Sequence, residues 1–73
     1  MDKHTNPNMS SHLENLHELH DNYYFSILPL LRDELFKYEE QGNITEANKV
    51  KKSIKRITKI MIGIQREIAE LEN

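Results

Sequence analysis

From Ala47 to Leu71 the apolar residues Ala47, Val50, Ile54, Ile57, Met61, Ile64, Ile68 and Leu71 recur at alternating steps of three and four. That alternation is the a/d pattern of a heptad, and it lines up all eight side chains on one stripe of an α-helix. No polar residue interrupts the stripe. Isoleucine occupies both a and d positions, a choice that disfavours a simple parallel pair and favours packing of higher order. An earlier set, Leu13, Leu16, Tyr23, Tyr24, Ile27, Leu28, Leu31, Leu35 and Tyr38, is also helically spaced and shows no strand alternation.

The ends of these helices can be placed from capping chemistry. Ser11-His12-Leu13-Glu14 fits a capping box, so the first helix is expected to begin near Ser11 and run to residue 41. Residues 1–10 show no periodicity and are expected to form a disordered tail. Gly42 supplies a C-cap without steric cost, and Asn43-Ile44-Thr45-Glu46 restarts a helix over 44–72. Pro29 lies inside the first helix, where it removes one hydrogen bond and crowds the carbonyl of Phe25. The apolar seam runs 13, 16, 20, 23, 27 before it and 28, 31, 35, 38 after it, a slip of one residue. A kink absorbs such a slip, and a break into two helices is the alternative.

Two helices of about 46 and 43 Å joined by a two-residue turn predict an antiparallel αα-hairpin. In that register Tyr23-Tyr24-Phe25 lies beside Ile60-Met61-Ile62-Gly63-Ile64, with Gly63 leaving room for a ring. The 60–64 run is apolar on nearly every side, and a lone hairpin covers one stripe per helix. Two hairpins associating as a four-helix bundle would cover more.

Charge sharpens this picture. The chain has 73 residues and a formal charge of −2, but the loop half (27–58) carries seven bases and five acids while the terminal half (10–26 with 59–73) carries two bases and six acids. An antiparallel pair of hairpins would set each positive half against a negative one.

Composition removes several classes. With no Cys there is no disulfide scaffold, thiolate metal site or cysteine nucleophile. No run approaches the roughly 18 apolar residues of a membrane span, and the polar start lacks the apolar core of a signal peptide. A cytoplasmic location is expected. No Gly-rich phosphate loop, nucleophile elbow or acid–base pair is present, so neither catalysis, a cofactor nor a small-molecule substrate is expected.

Three groups of side chains hold potential chemistry. Lys49, Lys51, Lys52, Lys55, Arg56 and Lys59 form a basic run without an intervening acid. A phosphate backbone could bind there, with Lys49, Lys52, Lys55, Arg56 and Lys59 as its contacts, but no aromatic residue is interleaved to stack on bases. As a membrane-surface helix the Lys55–Ile64 stretch would need apolar residues that the seam already uses. His12, His17 and His20 sit among Glu14, Glu18 and Asp21. Glu14-x-x-His17 has the spacing of bundle-core metal sites, but a metal needs facing carboxylates, and Glu67, Glu70 and Glu72 are expected to point outward.

The expected function is therefore a non-enzymatic interaction module, a regulator, adaptor or inhibitor that packs helices on a protein partner, a second copy of itself included. Tyr23, Phe25, Leu30, Ile60 and Ile62 are the candidate partner contacts. The alternatives are a nucleic-acid binder using the basic run and a purely structural self-assembly module.

Overall fold

The computed structural model describes residues 7–72 of the chain, and all of them lie in helices apart from the turn at 41–43. The elements are α1 (Pro7–Asn22), a π-helical turn (Tyr23–Ile27), α2 (Leu28–Glu40) and α3 (Ile44–Glu72). The first three run on as one long helix, and α3 returns antiparallel against it. The result is a helical hairpin 60 Å long and 17 × 14 Å across.

α1 starts four residues before the expected Ser11, so residues 7–10 are helical and not part of a tail; residues 1–6 lie outside the described residues. Proline suits the first helical position, because the N–H it lacks would have no partner there and its φ is already helical. Ser11 and Glu14 consequently sit inside α1, and their expected capping box has no helix start to serve.

The one-residue slip of the seam is absorbed by the π turn, and the helix runs on without a break. The Leu28 amide donates to the Tyr23 carbonyl, five residues back, where an α-helix would reach back four. One residue is thereby looped into the helix, and the stripe before it stays in line with the stripe after it. Pro29, one position later, has no N–H to give, so the ladder is already weakened where the wide turn falls. Leu16 and Leu28 are buried on either side of the π turn, and Leu13, Tyr23, Ile27, Leu31, Leu35 and Tyr38 are half-buried.

The return turn is fully specified by hydrogen bonds. α2 ends at Glu40, one residue short of the expected 41. Gly42 adopts φ 72°, the left-handed conformation that a side chain disfavours. Its amide donates to the Glu39 carbonyl at 3.1 Å, and the Asn43 amide donates to Tyr38 at 2.9 Å. These two bonds form a Schellman motif. The same Asn43 opens α3, where its side-chain oxygen accepts the Glu46 amide at 3.2 Å. Only half of the expected box forms there, since the Asn43 amide that Glu46 would reach is already given to Tyr38. The Glu46 carboxylate instead meets the Lys49 ammonium at 3.0 Å.

α3 buries its heptad stripe as expected. Ala47, Val50, Met61, Ile64 and Ile68 are buried, and Ile54, Ile57 and Leu71 are half-buried. Near the open end Leu16, Ile64 and Ile68 form a core cluster, with Leu13, Tyr23 and Leu71 packed on it. Gly63 does not make room for a ring: a Cβ added there would meet nothing within 4 Å. Tyr23 is the residue of the aromatic belt that enters the core, where it packs on the Leu16, Ile64 and Ile68 cluster.

Two stability predictions follow from the helix geometry. Gly63→Ala should raise the unfolding free energy by about 0.5–1 kcal/mol in urea denaturation, since it removes backbone freedom at a helical site with open space around it. Deleting Ser26 would place Leu13, Leu16, His20, Tyr23, Leu28, Leu31, Leu35 and Tyr38 on one unbroken 3-4 heptad. That deletion should keep a cooperative helical melt by circular dichroism, whereas deleting Thr58 should abolish it by turning half of the α3 stripe away through about 100°.

Candidate interaction surface

Two helices in contact cover one stripe each, and the side chains next to the stripe fall on two flanks. Leu19, Leu30 and Ile60 each immediately precede a seam residue (His20, Leu31 and Met61). Tyr24, Phe36 and Ile62 each immediately follow one (Tyr23, Leu35 and Met61). At about 100° per residue, the first three lie on one side of their helix's seam and the second three on the other. In an antiparallel pair, like sides of the two helices face the same way. Cross-helix pairs confirm the match. His12 and Glu67 meet at 2.7 Å, and they lie two turns from Leu19 and Ile60 respectively. Lys51 reaches Glu39 at 3.6 Å on the opposite side, near Phe36.

All six of these apolar side chains are solvent-exposed, as are Phe25 and Ile44. Of the expected partner contacts, Phe25 and Leu30 stand furthest out, at 69% and 66% exposure, while Ile60 and Ile62 are 40% and 47% exposed. Tyr23 is half-buried against the core cluster and is not part of the exposed set. Ile60 and Ile62 project on opposite flanks, so the five residues do not make one patch. Sequence reasoning left out Leu19, Tyr24, Phe36 and Ile44, which the structure leaves exposed. The one-residue offset from the seam was the signal that could have found three of them. Tyr24 stacks on the His20 ring at 6.1 Å between centroids and meets Phe25 edge-on at 5.0 Å.

The histidines have a structural use. His12 donates to Glu67, and His17 lies 3.3 Å from Glu72. Gln65 donates to His20 Nε2 at 3.0 Å, with Asp21 Oδ1 at 3.5 Å from the other ring nitrogen. Glu67 and Glu72 therefore reach back across the hairpin and do not point outward as expected. Long carboxylate side chains on a flank span the distance to the neighbouring helix. Each pair is about half exposed and weak on its own, worth about 0–1 kcal/mol. Among the described residues no group of three His, Asp or Glu side chains is arranged to hold a metal ion.

The basic run divides in two. Lys49 and Lys51 are paired with Glu46 and Glu39. Lys52, Lys55, Arg56 and Lys59 line a shallow depression of about 300 Å³ on the outside of α3 and form no ion pair among the described residues.

No protein-family model, curated protein or solved structure matches the chain. Its reading therefore rests on the surfaces themselves. No helix among the described residues is long and apolar enough to cross a membrane.

Proposed function

We propose that the chain is a small, non-enzymatic interaction module that works by packing helices against a protein partner. One observation carries the reading: among the described residues the hairpin leaves eight large apolar side chains exposed and buries only seven residues in its core. Isolated apolar residues are ordinary on a surface, but here they extend the packed seam along both flanks, the arrangement used when a helix face meets another helix. Aromatic and large aliphatic side chains suit the anchor role. A regulator, adaptor or inhibitor would act in this way by occupying a partner's helix-binding face. A cytoplasmic setting fits a chain without cysteine.

A second reading draws on the unpaired stripe. Lys52, Lys55, Arg56 and Lys59 concentrate four positive charges in a chain of net charge −2. Such a stripe would contact a nucleic-acid backbone without reading its sequence.

Affinity capture from host cells tests the first reading. The wild-type chain should co-purify with a stoichiometric protein partner, a second copy included, and Ile60→Asp with Ile62→Asp should lose that partner while keeping its helical circular dichroism. Equal capture by both forms would refute the interaction reading. An electrophoretic shift at low salt tests the second: DNA or RNA should be retarded, increasingly weakly as salt rises, and charge reversal at Lys52, Lys55 and Arg56 should remove the shift. Unretarded nucleic acid at low salt excludes it.

A further inference from the structure

The two flanks are not equivalent. On one flank the half-buried residues Tyr23, Ile27 and Ile57 lie one helical turn from the exposed Leu19, Leu30 and Ile60 respectively.

The spacing along this flank is symmetric. His20 meets Gln65 across the hairpin, so five residues further along each helix Ile60 is level with Phe25. Phe25 lies midway between Leu19 and Leu30, which are separated by about 16 Å along the axis. A two-fold axis passing through Ile60, perpendicular to the hairpin, would therefore bring Leu19 of one copy onto Leu30 of another and Ile60 onto itself. That is the self-complementarity an isologous interface needs. Beside Leu19 runs an open trough of about 630 Å³, bounded by Asn15, Asn22, Phe25 and Ser26 with the carboxylates of Glu18 and Asp21 on its outer side, that can take side chains from a facing helix.

The charges select the same orientation. On this flank Glu67 and Glu70 lie toward the terminal end, while toward the loop end Lys37, Lys49 and Arg56 outnumber Glu34 and Glu46. Over the whole hairpin the loop half is net positive and the terminal half net negative. An antiparallel pair juxtaposes unlike halves, and a parallel pair juxtaposes like halves.

We propose that the flank of Leu19, Leu30 and Ile60 takes a second copy of this chain, antiparallel, about a two-fold axis at Ile60, giving a four-helix bundle. The proposal rests on the interaction reading above and names the partner it leaves open.

Light scattering and cysteine cross-linking on the full chain test it. At about 100 µM the wild type should have about twice the monomer mass of 8.7 kDa. Leu30→Asp should fall to the monomer mass with its helical circular dichroism intact, because Leu30 contributes little to the hairpin's own core. Ile62→Asp, on the opposite flank, should remain dimeric. The chain has no cysteine of its own, so single additions report cleanly. Ser26→Cys, close to the two-fold axis, should form a disulfide dimer on oxidation. Asn15→Cys should not, since its two positions would lie roughly 30 Å apart along the axis. Cross-linking by Asn15→Cys, or a dimer in which Ser26→Cys does not cross-link, overturns the proposal. So does monomerisation by Ile62→Asp but not by Leu30→Asp. A monomeric wild type that still captures a foreign protein through Ile60 and Ile62 overturns the antiparallel pair and leaves the interaction reading standing; a monomer that captures nothing overturns both.

Discussion

Everything in this structure depends on keeping two apolar stripes in line over the full length of two helices. A two-helix layer has no third element to cover an error, and among the described residues no large side chain is completely enclosed. If either stripe turned away by one residue's worth of rotation, half of the core would face water. α3 meets this constraint through sequence alone, with an unbroken heptad. The first helix meets it through the π turn at Tyr23–Ile27, which spends one backbone residue so that the stripe of α1 and the stripe of α2 meet the same face of α3. The turn is a correction of phase, and Pro29 marks the place where the hydrogen-bond ladder loses least by it.

How much of this could be read beforehand depended on the range of the interaction. The seams, the return turn and the antiparallel pairing were legible because they are set by spacing and by local hydrogen bonds. Gly42 and Asn43 are an example: left-handed backbone and a side-chain cap are properties of those residues in that order. The slip at Pro29 was visible as arithmetic, but the arithmetic does not say that a π turn is the backbone form that absorbs it. Gly63 misled because a missing side chain was read as space for a neighbour, and no neighbour comes within reach. Glu67 and Glu72 misled for a related reason. A helical wheel gives the direction in which a side chain leaves the backbone, whereas a flexible carboxylate on a flank goes where its partner is, here His12 and His17. The candidate contact set had the same weakness: it was assembled by subtracting the seam, and subtraction does not distinguish the Ile60 flank from the Ile62 flank.

The surplus of apolar surface follows from the same constraint. Each helix carries more large apolar residues than one stripe can hold, and full burial of a single Leu or Ile side chain is worth about 1.5–3 kcal/mol. A chain of this length can gain little further from its own folding, because a small domain buries a small share of its surface. Association is the remaining way to cover Leu19, Leu30 and Ile60, and the basic residues Lys52, Lys55 and Lys59 lie away from that flank on the outside of α3, with Arg56 at the border between the two.

The hairpin is also unequal from end to end. At the loop end the helices are joined covalently through a turn closed by backbone hydrogen bonds from Gly42 to Glu39 and from Asn43 to Tyr38. At the open end they are held by the Leu16, Ile64 and Ile68 cluster and by exposed His–Glu pairs that each contribute little. Fraying should therefore begin at the open end. In the proposed antiparallel pair, the closed loop end of one copy would lie against the open end of the other. Each copy would then brace the weaker end of its partner, while the opposite charges of the two halves face each other. A parallel pair would do neither, leaving two weak ends together and two acidic halves in repulsion. Covering apolar surface favours any pairing of the two flanks, but end-to-end asymmetry in charge and in closure favours only one direction.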